Sequence, residues 1–442
     1  MRFSDKSDFS VGFFGLGISN IAAMRYIKRH YPRARLILRS DKAPSMAPPD
    51  DIKPDEVLFG QDATRGICED TLFLSPTVRR QRRELTEARD RGTLITSDIE
   101  YFLERYRGDA IVISGSDGKS TLTYLCADLL CRAGRSALPC GNFGRSPLDI
   151  LDTGELAVIE LSSFQLTYAK PRATVGCLTS VFSDHLDWHR DIDEYRCAKA
   201  RVLKGCEYAI ADTDEVPSEL LPRRLFACVS LEGRYDIGCE HRLGFKEGYI
   251  TLDGARHLYI GDARRLEEYN IRNYLHLTAV ALAMGVGKDA LYETVMSFRA
   301  IPHRRETVGV FRGIEYINSS IDTSPSRTIS TLSGIFGDIS LILGGRDKGL
   351  DIAPLAEIIK RRQIKCVLIG ECREKFAVSL GGCEYEYAED MQDAIRRATR
   401  QLKHGGTVLL SPAATSFGSY CSFEQRGQDF KECVMRLYGE QV

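Results

Sequence analysis

The stretch Ala110-Ile-Val-Ile-Ser-Gly-Ser-Asp-Gly-Lys-Ser-Thr-Leu-Thr123 decides the fold. Its first residues are apolar, which predicts a buried strand, and the residues after Lys119 have the apolar periodicity of a helix. Between them, Gly115-Ser-Asp-Gly-Lys-Ser-Thr121 predicts a loop whose backbone N–H groups and helix N-terminus face phosphate oxygens. Lys119 would neutralise the β- and γ-phosphates, and the Ser120 hydroxyl would ligate Mg²⁺. Ile113 stands where the full motif has its first glycine, so the loop is a shortened variant; a glycine-rich turn that binds nothing is the alternative.

The rest of the chain alternates short apolar runs with helix-like stretches, which predicts parallel sheets built from βαβ units. The predicted strands are Val11–Phe14, Leu36–Leu38, Thr71–Leu74, Ala110–Ile113, Leu156–Ile159, Ser340–Leu343, Cys366–Ile369 and Thr407–Leu410. A chain of 442 residues suggests about three domains. We predict an α/β fold with domains over residues 1–96, 97–299 and 300–442, the last opened by Ile301-Pro-His-Arg304.

Composition and charge exclude several classes of protein. The 60 Lys and Arg residues balance 61 Asp and Glu residues, for a net charge of −1, so no basic surface for nucleic acid or anionic lipid is predicted. No apolar run approaches the ~20 residues that a membrane-spanning helix needs, and the first residues lack the apolar segment of a signal peptide. The 14 cysteines are scattered without a Cys-x-x-Cys pair, which is typical of reduced thiols. A cytoplasmic, monomeric protein with no nucleic-acid partner and no membrane insertion is expected.

A second glycine-rich turn, Phe14-Gly-Leu-Gly-Ile-Ser-Asn20, follows the first predicted strand. Asn20 stands where the dinucleotide-binding fingerprint has glycine or alanine. The turn therefore favours the binding of another diphosphate over the binding of NAD, although an NAD-dependent oxidoreductase stays an alternative.

A group of acidic, histidine and lysine residues follows the phosphate loop. Glu160 comes directly after a predicted strand, at the edge where α/β sheets bind ligands, so it is a candidate metal ligand; a surface salt bridge is the alternative. Asp184-His-Leu-Asp187 precedes a helix predicted over Asp191–Lys204, with Asp191 as its N-cap. Lys199 lies on the apolar face of that helix, so it must be paired, neutral or modified unless it snorkels to solvent.

Several of these stretches resemble one known family, the Mur ligases of bacterial cell-wall synthesis. The matching stretches are Gly115–Thr121, Glu160–Leu166, Asp184–Asp187 with Ala198–Arg201, and Leu410–Ser416 with Ser422–Gly427. The likeness runs in order along nearly the whole chain. It implies three domains: a Rossmann-like N-terminal domain that holds a UDP-linked substrate, a central P-loop ATPase-like α/β domain, and a Rossmann-like C-terminal domain that holds an amino acid.

The motifs Glu160-Leu-Ser-Ser-Phe-Gln165 and Ser422-Phe-Glu-Gln-Arg-Gly427 resemble the family member that adds D-glutamate. The resemblance therefore implies an ATP-dependent ligase that joins D-glutamate to UDP-N-acetylmuramoyl-L-alanine through an acyl phosphate. It implies ATP and two Mg²⁺ sites, with Lys199 carried as a carbamate. The catalytic residues that it implies are Lys119, Glu160, His185 and Lys199. The implied metal ligands are Ser120 and Glu160 for the nucleotide-side Mg²⁺, and His185 and Lys199 for the second.

The resemblance also implies ligand contacts across the chain. The ATP contacts would be Gly115, Ser116, Asp117, Gly118, Lys119, Ser120, Thr121, Asn273 and Arg304. The contacts to the UDP-linked substrate would be Gly15, Leu16, Gly17, Ile18, Ser19, Ser40, Asp41, Asn142 and Ser162. The D-glutamate contacts would be Thr323, Lys348, Ser416 and Phe423. The chain departs from the family where Ser319 and Ile321 replace an acidic residue and a lysine, and Asp322 could take over the acidic contact to the ATP ribose.

Two further hypotheses stay open. Another ligase of the superfamily, with a different amino acid, would keep the phosphate loop, His185 and Lys199. A non-catalytic nucleotide-binding regulator on the same fold would be expected to lose Lys119, Glu160 or Lys199, all of which are present.

Overall fold

The computed structural model describes residues 9–41, 51–143, 145–182, 188–346, 351–402, 405–416 and 420–439. The chain divides into two compact units, of which the first ends at Phe298 and the second begins at Arg299. Strands in the described ranges form three sheets, each flanked in sequence by helices, so the predicted α/β class is confirmed. Within the same ranges, no helix is both long enough and apolar enough to cross a membrane.

The first sheet lies in the first unit and is entirely parallel. Its strands are β1 (Ser10–Phe14), β2 (Arg35–Ser40), β3 (Glu56–Phe59), β4 (Thr71–Leu74) and β5 (Leu94–Thr96). The helices of this part are α1 (Ile18–His30), α2 (Gln61–Thr64), α3 (Arg83–Asp90) and α4 (Asp98–Arg105). The strand order β3-β2-β1-β4-β5 is Rossmann-like, and it places the turn after β1 at the centre of the carboxyl edge.

The second sheet, also in the first unit, has its phosphate-loop strand third from one edge. Its strands are β6 (Ala110–Ser114), β7 (Ala137–Gly141), β8 (Leu156–Glu160), β9 (Ala173–Leu178), β10 (Cys206–Asp212), β11 (Arg224–Val229), β12 (Gly238–Lys246), β13 (Tyr249–Leu252) and β14 (Ala255–Tyr259). The order is β14-β13-β12-β11-β10-β9-β6-β8-β7, and only the β12-β13-β14 end is antiparallel. The helices are α5 (Lys119–Arg132), α6 (Ser163–Leu166), α7 (Ile192–Ala200), α8 (Glu268–Ala283) and α9 (Lys288–Ser297). Strand β6 is buried along its whole length, which explains its unbroken apolar run.

These two sheets share one hydrophobic core. Val11 and Phe73 from the first sheet belong to the same buried cluster as Val112 and Ile159 from the second. The boundaries predicted for three domains therefore stay predictions.

The second unit contains a six-stranded sheet. Its strands are β15 (Glu306–Phe311), β16 (Ile314–Asn318), β17 (Ile339–Gly344), β18 (Lys365–Ile369), β19 (Tyr385–Tyr387) and β20 (Gly406–Leu410). The order is β15-β16-β20-β17-β18-β19, parallel except for the β15–β16 hairpin. The helices are α10 (Pro325–Ser333), α11 (Ala353–Arg361), α12 (Arg373–Ser379), α13 (Met391–Gln401) and α14 (Phe423–Tyr438). Two separate apolar clusters pack in this unit, one with Leu341 and one with Ile342, because alternate residues of β17 face opposite sides of the sheet.

All eight predicted strand segments lie in strands of the structure. The predicted N-cap is also confirmed, since the side chain of Asp191 accepts a hydrogen bond from the backbone N–H of Glu194. The helix predicted over Asp191–Lys204 is shorter than expected. Helix α7 ends at Ala200, and Arg201–Leu203 forms a tighter 3-10 turn before Gly205, with φ of +80°, redirects the chain into β10.

Candidate active site

The predicted phosphate loop lies between β6 and α5, as a loop over residues 115–118. Gly115 and Gly118 have backbone φ angles of +153° and +81°, values that residues with a side chain rarely adopt. Gly118 is also the N-cap of α5. The N–H groups at the N-terminus of this helix therefore lie at the same edge of the sheet as the loop. Lys119 Nζ donates to the backbone carbonyl of Ser116 at 2.7 Å, which folds the side chain back over the loop.

Two residues after β9 hold this loop in shape. The backbone N–H groups of Ser116 and Asp117 donate to the backbone oxygen and the hydroxyl of Ser180, at 2.8 and 2.9 Å. Thr179 Oγ1 donates to the carbonyl of Asp117 at 2.5 Å. A Cβ at Gly115 would overlap Thr179 Oγ1, so glycine is required there by space as well as by φ. Sequence reasoning missed Thr179 and Ser180; their signal was the position of two hydroxyl residues directly after a buried strand.

Glu160 ends β8, beside β6 and opposite Gly141 of β7. Its side chain is buried, with the residue 1% exposed. Asn142 Nδ2 donates to Glu160 Oε1 at 2.7 Å, and the Asn142 backbone N–H donates to the Glu160 carbonyl at 2.9 Å. Among the described residues, Glu160 Oε2 has no hydrogen-bond partner. A buried carboxylate oxygen without a partner beside a phosphate loop suits a hard cation such as Mg²⁺.

Lys199 reaches the phosphate loop from helix α7. The residue is 3% exposed, and its Nζ donates to the carbonyl of Gly115 at 2.5 Å. Its Nζ also lies 4.8 Å from the centre of the Tyr195 ring. The Tyr195 hydroxyl is 2.9 Å from Ser116 Oγ, so two residues of α7, one turn apart, contact the loop. The snorkelling alternative is wrong, because the amine is directed into the protein and not to solvent.

Ser162 is the N-cap of the short helix α6. Its hydroxyl accepts from the Gln165 backbone N–H at 3.3 Å, while the Gln165 side chain accepts from the Ser162 backbone N–H at 2.9 Å, which makes a complete capping box. The next residue, Ser163, has its hydroxyl 2.9 Å from Nε2 of the buried His189. These contacts fix the chain just beyond Glu160.

Asn273 lies on helix α8 and is 2% exposed. Its Nδ2 donates to the carbonyl of Tyr269 at 2.9 Å, and a Cβ built at Gly118 would lie 2.8 Å from its Oδ1. The amide is therefore next to the phosphate loop. Its neighbour Arg272 donates from Nη1 to both carboxylate oxygens of Asp212, at 3.1 and 2.9 Å, which ties α8 to the carboxyl end of β10.

The turn after β1 is held by Asn20, which takes the place of a third glycine. Asn20 Nδ2 donates to the carbonyls of Phe14 and Gly15 at 3.0 and 2.7 Å. The predicted contact residues Gly15, Leu16, Gly17, Ile18 and Ser19 all lie in this turn or at the start of α1. Ser40 ends the neighbouring β2, and the carboxylate of Asp41 accepts two hydrogen bonds from Arg82 at 2.7 and 2.8 Å. These residues lie at one carboxyl edge of the first sheet.

The second unit brings three other predicted residues to the carboxyl edge of its sheet. Thr323 follows β16, Ser416 follows β20, and Phe423 starts α14. Ser416 is 4% exposed, whereas Thr323 and Phe423 are half-buried. Arg304 is exposed and precedes β15.

Asp322 does not take over the missing acidic contact. The residue is 4% exposed, and its Oδ2 accepts hydrogen bonds from the hydroxyls of Thr331 and Ser411, both at 2.7 Å. Burial raises the pKa of this carboxyl group above its usual range. The side chain thus joins β20 to α10 inside the unit, and the expectation that it serves the ribose is wrong.

Comparison with known proteins identifies the family. A model of the Mur ligase middle domain matches residues 113–225. The chain is 31% identical to the UDP-N-acetylmuramoylalanine–D-glutamate ligase of Nitrosococcus oceani, with 96% of both chains covered. It is 30% identical to the enzyme of that name from Marinobacter nauticus, over 98% of this chain and 99% of the relative. The chain belongs to the family of UDP-N-acetylmuramoylalanine–D-glutamate ligases.

The fold agrees with membership of the Mur ligases. The UDP-N-acetylmuramate–alanine ligase of Thermotoga maritima superposes with a TM-score of 0.52 at 16% identity, over 97% of this chain and 100% of that one. Two residues predicted from the family, His185 and Lys348, lie outside the described residues. Within the described part of the chain, no group of three or more His, Cys, Asp and Glu side chains is arranged to hold a metal ion.

Proposed function

We propose that this chain joins D-glutamate to UDP-N-acetylmuramoyl-L-alanine, with cleavage of ATP to ADP and phosphate, in the synthesis of peptidoglycan precursors. Family membership over 96% of the chain supports the substrates. The observation that carries the chemistry is the convergence of Glu160 and Lys199, both buried, on one phosphate loop from two different elements. The cytoplasmic location, the monomeric state and the three domain boundaries belong to this proposal.

The reaction has two steps in this proposal. The L-alanyl carboxylate attacks the γ-phosphorus of ATP and ADP leaves, which forms an acyl phosphate. The amine of D-glutamate then attacks the acyl carbon, loses its proton, and phosphate leaves as the amide bond forms. The first step brings two anions together, so positive charge at the γ-phosphate is the main requirement.

The phosphate loop meets that requirement on the nucleotide side. Residues Gly115 to Thr121 and the N-terminus of α5 bind the phosphates, through backbone N–H groups other than those of Ser116 and Asp117, which donate to Ser180. Lys119 neutralises the charge that develops on the γ-phosphate. For this role Lys119 exchanges its contact with the Ser116 carbonyl for a phosphate oxygen. Asn273 contacts the adenine, and Arg304 is a further residue proposed to contact ATP.

Mg²⁺ supplies Lewis-acid charge neutralisation between ATP and the acceptor carboxylate when it is bound. Ser120 and Glu160 would hold the nucleotide-side ion, and the unpartnered Oε2 of Glu160 supports this assignment. His185 and Lys199 would hold the second ion. A carbamate on Lys199 keeps one N–H on Nζ, so the hydrogen bond to the Gly115 carbonyl is compatible with the modification.

The acceptor substrate is held by residues of the first unit in this proposal. The turn from Gly15 to Ser19, with Ser40 and Asp41, binds the uridine diphosphate part. Asn142 and Ser162 contact the muramoyl-alanyl part. Because Asn142 Nδ2 is bound to Glu160 Oε1, the residue that orients the acceptor is also fixed by the proposed metal ligand. Thr323, Lys348, Ser416 and Phe423 bind D-glutamate.

Release of phosphate tests the proposal. Purified protein is incubated with ATP and Mg²⁺, and UDP-N-acetylmuramoyl-L-alanine and D-glutamate are added singly and together. We expect rapid phosphate release only with both, and one new amide per phosphate by mass spectrometry. L-Alanine, L-lysine and L-glutamate replace D-glutamate as controls. Equal or faster turnover with one of these amino acids would show that the chain is a ligase for a different amino acid. Phosphate release that depends on neither UDP-N-acetylmuramoyl-L-alanine nor D-glutamate would contradict ligase activity.

A further inference from the structure

Arg426, on the second turn of α14, is a buried arginine without an ion-pair partner in the described part of the chain. The residue is 2% exposed, and its described contacts are all to neutral oxygens. Burial lowers the pKa of its guanidinium to about 10, so the group stays charged at neutral pH. A buried charge is costly unless it is stabilised or used.

The guanidinium joins the segments that follow three neighbouring strands. Nε donates to Ser320 Oγ at 3.0 Å and Nη2 donates to the Ser320 carbonyl at 2.9 Å, after β16. Nη1 donates to the Ala414 carbonyl at 3.1 Å, after β20, and lies 3.4 Å from the carbonyl of Gly344, which ends β17. The planar fork of arginine matches oxygens that arrive from several directions, which lysine cannot do.

Two of these contacts are next to residues proposed to bind D-glutamate. Thr323 is three residues after Ser320, and Ser416 is two after Ala414. Phe423 is one turn before Arg426 on α14, and its carbonyl accepts a hydrogen bond from Ser320 Oγ at 2.8 Å. The segments that form the proposed amino-acid pocket are therefore tied to one side chain.

The space around the Arg426 guanidinium is also limited. A Cβ at Gly345 would overlap the Thr415 carbonyl and lie 3.0 Å from Arg426 Nη1. The nearby Asp322 accepts the hydroxyls of Thr331 and Ser411 at its Oδ2, and its charge acts on the Arg426 guanidinium without an ion-pair contact. Because no described carboxylate forms an ion pair with Arg426, its positive charge can also act on a ligand that carries negative charge.

We propose that Arg426 is the positioning residue of the D-glutamate pocket: it fixes the three segments around the amino acid and supplies the positive potential that its two carboxylates need. This inference rests on the proposed function. The described contacts of Arg426 are to the Ser320 hydroxyl and to backbone carbonyls of the pocket segments, so we expect it to affect the binding of a dicarboxylate and not the formation of the acyl phosphate.

The test compares two acceptors for the acyl phosphate. D-Glutamate carries two carboxylates, whereas hydroxylamine is a neutral amine that forms a hydroxamate and releases phosphate. For a guanidinium and a ligand carboxylate taken as about 8 Å apart in an effective dielectric of about 20, loss of the unit positive charge weakens carboxylate binding about 30-fold. Arg426→Met should therefore raise the KM for D-glutamate by that order, with hydroxamate formation and the KM for ATP changed less than about 3-fold. Arg426→Lys should show a smaller rise. Arg436→Met, an exposed arginine on the same helix, is the matched control.

The outcomes separate the hypotheses. If Arg426→Met loses the same fraction of its rate with D-glutamate and with hydroxylamine, Arg426 has a structural role only and the inference is overturned. An unchanged KM for D-glutamate also overturns it. If Arg426→Met does not fold, the same comparison on Arg426→Lys decides: a selective loss with D-glutamate supports the inference and an equal loss overturns it. If the native chain forms neither amide nor hydroxamate, the proposed function fails, and the inference fails with it.

Discussion

Lys199 Nζ lies 2.5 Å from the carbonyl oxygen of Gly115, so a helix that begins over seventy residues after the phosphate loop closes directly on it. Gly115 is the first residue of the loop, where a φ of +153° lets the chain turn out of β6. A change in the charge of Lys199 therefore acts directly on the backbone of the phosphate loop.

Lys199→Ala should lower kcat on the order of 10³-fold, because several kcal/mol of charge stabilisation are lost. The missing group in the proposed carbamate is a carboxylate on a stem, so a short-chain acid such as acetate should restore part of the rate. Initial rates with and without added acid measure this. Lys204→Ala, an exposed lysine beyond the same helix, should have native activity. Full activity of Lys199→Ala without acid would refute the role.

Lys119→Ala should reduce turnover by a similar order, on the order of 10³-fold, because the γ-phosphate loses its positive partner in the transition state. The fold should survive, because the hydrogen bond from Lys119 Nζ to the Ser116 carbonyl lies within the phosphate loop and not in a hydrophobic core. Circular dichroism and thermal unfolding check the fold, and phosphate release checks the rate. Lys246→Ala, exposed on β12, is the control. Near-native turnover in folded Lys119→Ala would contradict the assignment.

The places of Glu160, Lys119 and Lys199 could be predicted from the sequence because each depends on local pattern. Each pattern spans no more than about fifteen residues. The patterns are an apolar run that ends in a carboxylate, a glycine-rich turn before a helix, and a lysine in helical register with apolar residues. Their convergence was implied by the family resemblance alone. It results from the pairing of β6 with β8 and β9, which no local pattern specifies.

Thr179, Ser180 and Asp322 show what local patterns cannot predict. Thr179 and Ser180 support the phosphate loop because β9 is next to β6, so their role depends on strand order. Asp322 was the candidate for the ribose contact because Ser319 replaces the acidic residue of the family three positions earlier. It turns inward because the hydroxyls of Thr331, on α10, and of Ser411, after β20, donate to its Oδ2 there.

Glu160→Gln tests the unpartnered carboxylate oxygen. The variant keeps an oxygen for Asn142 Nδ2 but replaces the metal-facing charge by a neutral amide, so the Mg²⁺ concentration for half-maximal rate should rise at least about 10-fold. The unfolding temperature should not fall, because a buried charge with an unsatisfied oxygen is removed. Glu155 directly precedes β8 and is more exposed than Glu160, so Glu155→Gln should leave the Mg²⁺ requirement and the unfolding temperature unchanged. An unaltered Mg²⁺ requirement in Glu160→Gln would exclude it as a ligand.

His276 makes the stability of the first unit depend on pH. It is 1% exposed on α8, its Nδ1 donates to the Arg272 carbonyl at 2.9 Å, and burial lowers the pKa of its imidazole to about 4. The unfolded chain has the ordinary pKa near 6.5 and binds the proton first, so stability present above about pH 6.5 is lost as the pH falls toward 4.

When the pH falls from 7.5 to 5.5, His276 should lower the free energy of unfolding by about 1 kcal/mol. Burial raises the pKa of Asp98 and of Asp212 to about 6, and these acids act in the opposite direction. The comparison is therefore made between the native chain and His276→Gln, in which the two acids contribute equally. Urea unfolding at both pH values should show a smaller loss at low pH for His276→Gln, while His30→Gln, at the exposed end of α1, should follow the native chain. The same loss in His276→Gln as in the native chain would mean that the buried imidazole takes up its proton without unfolding.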